Sequence, residues 1–441
     1  MATLGQWRQF IRVREEASYN AATPQTANDW NIKAGAQGWI DAIDQLDGTG
    51  LQSSTPLIFP SGKAGRRFMN NASPVAGAQE TQLGTLNMTV YPELIIPWLR
   101  ASLGTKTITE TAGTAALSST AFASVATLDT QPDSLEVLRF TIASSTASSA
   151  AAINIIQNAV TVETITIGTS ASSVNGAYYS KGAYNGSVDA ITFSVSGTVT
   201  SGTVVVDGIK YASTNLKFTS SAAASLVIEQ AGRVEEGSAN SEFFPGCKVP
   251  QLAFAYDRRQ VDSLLICTAT VAGLKPTVAT STTFGNDFAA GSTAGYLPFA
   301  GWTGKVQIDD SDFCEVVAAN FSINSNDEFY SASCGTNSPT GVTEGMAEFF
   351  GTLTIIPSGT TRWDDYQTAT SRKFELEFLT PHYVNGTTPY QFKITSNNAY
   401  TQTYTRGSEG AAQSAEIAIR GVFNTTDSGP CQVDVRSRLP V

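Results

Sequence analysis

The stretch GTLNMTVYPELIIPWLRASLG, Gly84 to Gly104, decides how the rest of this chain is read. Its first part alternates strictly: Leu86, Met88 and Val90 alternate with Thr85, Asn87 and Thr89. Period-two alternation is the signature of a strand with one face to bury and one to wet. From Pro92 the period changes, and PELIIPWLRASL, Pro92 to Leu103, reads as a short helix opened by Pro and Glu and closed by Gly104. Pro97 should kink that helix or delay its start, because proline lacks an N–H and clashes with the preceding turn.

Working outward, the same alternation recurs in short runs bounded by Gly, Asn, Pro and Ser. Candidate strands are Ser225 to Glu229, Val249 to Tyr256, Leu264 to Val271, Lys305 to Ile308, Gly351 to Ile356, Lys373 to Leu379, Tyr390 to Ile394 and Ala415 to Phe423. A second short helix is expected over Thr361 to Thr368. The chain is therefore expected to be mainly β. At 441 residues it has room for about three domains at roughly 150 residues each.

Composition shifts after Gly104. From about Thr111 to Ser221 the chain is rich in Ser, Thr, Ala, Val and Gly and poor in charge, and it carries strand-like TVETITIG (Thr161 to Gly168), AITFSVSGTVTSGTVVVDGIKY (Ala190 to Tyr211) and NLKFTS (Asn215 to Ser220). Repeated β-branched alternation favours a small immunoglobulin-like sandwich over a disordered linker. With this segment set aside, an internal repeat emerges. One copy runs through Gly77, Glu80, GTLNMTVYP, a helix, SLVIE, PGCKVPQLAFAY and SLLICTATVAG. The other runs through Gly341, Glu344, GTLTIIP, a helix around Trp363 to Tyr366, KFELEFL, YQFKI and SAEIAIRGVFN. The expected organisation is two copies of one β module, residues 1–110 with 222–300 and residues 301–441, the first interrupted by an inserted sandwich over 111–221.

The chain holds 38 acidic and 27 basic residues, a formal charge of -11, yet charged residues are only 15% of it, against about 25% in an average soluble protein. Gripping nucleic acid by phosphate neutralisation needs a basic surplus, so that class is disfavoured. The single histidine, His382, nearly removes Ser-His-Asp, Cys-His and multi-histidine metal chemistry. Five cysteines (Cys247, Cys267, Cys314, Cys334 and Cys431) form no CxxC pair and read as reduced thiols. Neither a Sec-type leader nor a run of about 18 apolar residues is present, so no membrane contact is expected.

Taken in order, VREEASYNAATP (Val13 to Pro24), GTLNMTVYPELIIPWLRASLG and FFPGCKVPQLAF (Phe243 to Phe254) following SLVIEQAG resemble the tail tube proteins of long-tailed bacteriophages. Asn20 stands where that family usually has Gly, a mild departure because Asn tolerates positive φ. The likeness covers about Gly5 to Gly104 and Ser225 to Val441; the Ser/Thr-rich segment lies outside it. The resemblance implies a structural virion protein with no enzymatic activity and no cofactor. Its β-sandwich or barrel domains would join inner strands with those of neighbouring subunits around a channel. Six tube domains per ring would here need three chains with pseudo-sixfold symmetry, with a true hexamer as the alternative. It further implies assembly in the host cytoplasm into a phage tail. The expected partners are the tape measure protein and genomic DNA in the lumen, and tail terminator and distal tail proteins at the ends. An acidic or neutral polar lumen would let DNA slide, so part of the acidic excess is expected to face the channel.

Other motifs read as structural. Asp309, Asp310 and Asp312 lack EF-hand spacing and read as a solvated turn. Lys63, Arg66 and Arg67 in SGKAGRRF lack P-loop spacing; with the Gly- and Pro-rich stretch from about Gly48 they are expected to form a loop between rings. His382 is expected in a partly exposed turn. Glu235 with Glu236, and Asp364 with Asp365, are adjacent pairs, and adjacent strand positions point apart, so neither supplies the opposed carboxyls of a glycosidase. The alternative from a different class is a carbohydrate-binding or adhesive β-rich tail or receptor-binding protein.

Overall fold

The structure is a computed structural model. It describes residues 9–16, 40–42, 50–58 and 75–111 with omissions, eight strands between 120 and 209, and 213–437 with omissions. The chain is mainly β, built on one large antiparallel sheet system with two short α-helices among the described residues.

The quoted alternation produces the strand Gln82–Thr89, whose Leu83, Leu86 and Met88 are buried. It leads into α1, Ile96–Leu103, which begins later than Pro92 because Pro97 is accommodated in the first turn, where no N–H is required. Trp98, Leu99, Ala101 and Leu103 are fully buried, and the helix packs on the strand Ala239–Asp257. It ends at Gly104 with φ +93°, where an added Cβ would sit 2.5 Å from the Ala222 carbonyl oxygen; only glycine fits there. The second helix, α2, spans Thr361–Thr368 as expected and lies mostly at the surface.

Seven strands pair in an unbroken antiparallel run: Gln82–Thr89, Ile266–Ala272, the second half of Ala239–Asp257, Val316–Asn324, Glu348–Ile355, Ala412–Gly421 and the second half of Pro389–Glu409. Behind them a second layer runs through Gly104–Thr111, Ser213–Ser220, Gln432–Ser437, the first half of Pro389–Glu409, Ser371–Tyr383 and Lys305–Ile308. The long strand Pro389–Glu409 thus belongs to both layers and turns the corner between them. Ala239–Asp257 also changes partners along its length, at a register shift between Lys248 and Gln251, where Pro250 withdraws an N–H from the ladder. Its first half pairs with Leu226–Arg233, which pairs in turn with Gln9–Glu15.

Between the layers lies a single aromatic-rich core. Phe254 meets Phe392 at 5.0 Å between ring centroids, Tyr256 meets Phe378 at 5.0 Å and Phe321 meets Phe374 at 5.3 Å, each pair crossing from one layer to the other. Each fully buried phenylalanine contributes about 1.5–3 kcal/mol from burial.

The pairing order Leu226–Arg233, Ala239–Asp257, Ile266–Ala272, Gln82–Thr89 matches the order Ser371–Tyr383, Pro389–Glu409, Ala412–Gly421, Glu348–Ile355. These two groups are not separate bodies. Val316–Asn324 joins them in the seven-strand run, and Gln432–Ser437 joins Ser213–Ser220 to Pro389–Glu409 in the other layer.

Within the Ser/Thr-rich segment, strands between Thr120 and Ile209 form two four-stranded antiparallel sheets. Composition grouped Asn215 to Ser220 with this segment. The structure instead pairs Ser213–Ser220 with Gly104–Thr111 and Gln432–Ser437 in the large sheet system, where Leu216 and Phe218 enter the core.

Candidate functional site: the open face of the seven-stranded sheet

Alternation along the seven strands sends one set of side chains into the core and the other outward. Register then arranges the outward set in rows that cross the sheet. One row reads Thr89, Ile266, Ala255, Asn320, Thr352, Ala418, Thr403. The next reads Asn87, Thr268, Ala253, Ser322, Phe350, Arg420, Tyr400. Toward one rim lie Thr85, Thr270, Gln251, Asn324 and Glu348; toward the other lie Asp257, Ala318, Thr354, Glu416 and Thr405.

These side chains are short, and most are uncharged hydrogen-bonding groups. Thr268 donates its hydroxyl to Asn87 Oδ1 at 2.6 Å, a cross-strand pair of the kind that stabilises neighbouring strands. An open concavity of about 450 Å³ lies over Ala255, Asp257, Ala318, Asn320, Thr352 and Thr354. Such a surface can form hydrogen bonds over a wide area.

Charge on this face is sparse, and its arginines are paired. Arg420 donates from Nη2 to Glu348 Oε1 at 2.7 Å, and its guanidinium lies 5.2 Å from the Phe350 ring centroid. At the opposite rim Arg259 donates Nε to Asp257 Oδ1 at 2.8 Å and Nη2 to Oδ2 at 2.6 Å. That hydrogen-bonded guanidinium holds the Asp257 carboxyl below the usual range, so the pair is ionised at neutral pH.

The outward face of the other layer is chemically different. Lys217 stands opposite Asp434, and Asp434 opposite Lys393. Lys393 and Lys373 reach the same carboxylate, Glu375, at 2.8 and 3.1 Å. Lys305 stands opposite Glu377, and Arg436 donates to Asn215 at 3.0 Å. Burial pushes Glu375 up, but the hydrogen bonds and charges of Lys393 and Lys373 outweigh it and hold the carboxyl below its usual range. Asp434 ends raised, because burial exceeds the pull of Lys217 and Lys393.

The sequence candidates are placed as follows. Lys63, Arg66, Arg67, Cys334 and the pair Glu235 and Glu236 lie outside the described residues. Asp309, Asp310 and Asp312 do form a turn, with Asp309 and Asp310 at positive φ, but it is tied down by cations. Arg372 binds Asp309 at 2.9 Å, Lys373 binds Asp310, and Lys305 binds Asp312 at 2.8 Å. Asp365 is buried under Arg362 and Arg372 while Asp364 is exposed, so these neighbours point apart. His382 corrects the turn expectation. It belongs to the strand Ser371–Tyr383, because pairing resumes at Tyr383 after a register shift beyond Leu379. Cys247, Cys267 and Cys431 are buried thiols pushed up by burial, and Cys314 is exposed.

Among the described residues no group of three or more His, Cys, Asp or Glu side chains is placed to hold a metal ion. No helix there is long and apolar enough to cross a membrane. The open face itself escaped sequence reasoning, since its rows depend on pairing between strands far apart in the chain. No protein-family model and no curated protein matches this chain.

Proposed function

We propose that this chain is the subunit of a hollow tube, as in the phage tails whose tube proteins it resembles, and that the open face of the seven-stranded sheet lines the channel through which DNA passes. The observation that carries this reading is the open face: wide, polar, short-chained and without a surplus of positive charge. A duplex sliding over it meets no row of cations to exchange for its counterions.

Both ends of the seven-strand run support assembly. Among the described residues Gln82–Thr89 has Ile266–Ala272 as its one strand partner, with a further backbone bond from Gln52 N–H to the Leu83 carbonyl at its start, and the Thr401–Glu409 part of Pro389–Glu409 pairs only with Ala412–Gly421. Exposed strand edges invite pairing, and one edge of a copy meeting the other edge of the next closes a ring without a free end. The matching pairing orders of the two strand groups support two tube modules per chain, hence three chains per ring. The two-sheet segment would then decorate the outside. Tape measure protein, tail terminator and distal tail proteins would be further partners, and the virion its location.

Electron microscopy of the purified full chain tests the proposal. Hollow, regularly striated tubes or rings are expected; monodisperse monomers that bind glycans would favour the adhesive alternative and overturn it. Deleting the Gly48 to Arg67 stretch, with Lys63, Arg66 and Arg67, is expected to leave rings or monomers in place of tubes.

A further inference from the structure

An arginine on an otherwise neutral surface is a sticking point for nucleic acid, because its fork of donors fits phosphate as well as it fits carboxylate. The open face carries such arginines. Arg420 rises next to the end of one row, and Arg259 folds back onto the rim beside Asp257. Each is met by a carboxylate of the same face, Arg259 through two nitrogens and Arg420 through Nη2. Asp257 takes Nε and Nη2 of Arg259 with its two oxygens, the arrangement a phosphate would use. Glu348 is held from two sides. Its Oε1 accepts from Arg420 at 2.7 Å while its Oε2 accepts from Asn326 Nδ2 at 3.2 Å. Phe350, directly opposite Arg420 in the register, lies under the guanidinium and keeps it over the sheet.

We infer that Glu348 and Asp257 are masking residues, which occupy Arg420 and Arg259 so that the open face offers no free cation to nucleic acid phosphate. The inference rests on the proposed conduit and deepens it: indifference to DNA is built by specific counter-charges, not only by net charge. The arginines remain useful to the fold, bracing strand partners and the rim, while their second capacity is cancelled in place.

The test uses soluble full-length chain and a short fluorescent DNA duplex, with binding followed by anisotropy at low and moderate salt. Wild type is expected to bind only weakly, with a dissociation constant that sets the reference. Glu348→Gln keeps the shape of the side chain, frees Arg420, and is expected to bind about tenfold more tightly at low salt, a gain that shrinks as salt rises. Glu348→Gln with Arg420→Gln is expected to return to the wild-type level. Asp257→Asn, alone and with Arg259→Gln, repeats the comparison at the other rim and decides the matter if Glu348→Gln does not fold by circular dichroism. Variants that bind no more tightly than wild type, or a gain that survives loss of the arginine, overturn the inference. Because binding is read on soluble chain, its failure is distinct from a failure to form tubes under the microscope.

Discussion

The two outward faces of this sandwich stand on one core yet use opposite chemistry. The face of the seven-stranded run is a carpet of Thr, Asn, Ser and Ala whose arginines are each engaged by a neighbouring carboxylate. The other face crosses its strands with alternating charges, Lys217, Asp434, Lys393 and Glu375. Both are equally compatible with strand geometry, since outward positions need only tolerate water. The difference therefore reports what each face meets. Charge ladders fix register and favour the native pairing, whereas the open face forgoes that help and keeps its surface short and even.

The largest effect expected from breaking this comparison comes from the shared support. Phe254, on the open-face layer, packs on Phe392 of the other, so Phe254→Ala should destabilise the whole body by about 3–5 kcal/mol. Urea unfolding followed by two probes should still give one transition; two separated transitions would mean the faces rest on independent cores. Next in size is Glu375→Gln, which strips two lysines of a buried partner and should cost about 1–3 kcal/mol. Its pH signature follows from a folded value held below the unfolded one: the stabilisation is present above the usual glutamate range and fades as pH falls through the lower folded value. The variant's stability should accordingly converge with that of wild type in acid. Smallest is Asn320→Ser at the centre of the open face, expected to change stability by less than about 0.5 kcal/mol. A loss there as large as that of Glu375→Gln would erase the distinction between the faces.

Much of the β architecture was legible because burial leaves a period-two trace. Lys305–Ile308 and Thr361–Thr368 lie where the sequence places them, and the strand after Gly84 differs only at its ends. Val316–Asn324 escaped, since VVAANFSIN offers Ala and Asn where a strand usually shows a bulky contrast; its small residues are what a strand between two others on the open face carries. Gln432–Ser437 escaped for another reason. QVDVRS alternates plainly, but six residues after a Gly-Pro turn look like a tail until their partners are known. The open face was the least legible part. Glu348 and Arg420 are 72 positions apart, and Asn87 and Thr268 are 181 apart, so their meeting is a property of register and leaves no local mark.

The strand Gln432–Ser437, lying between Ser213–Ser220 and Pro389–Glu409, also sets a clock. Arg436 and Asn215 are 221 positions apart, so the layer behind the open face cannot close until nearly all of the described chain has left the ribosome. Long-range strand pairing is slow to form, and a half-made body with open edges is prone to wrong partners. The sandwich is therefore complete only after Gln432–Ser437 has been made. Growth of any assembly would then draw on finished subunits, because unfinished ones lack the backing that holds the open face in shape.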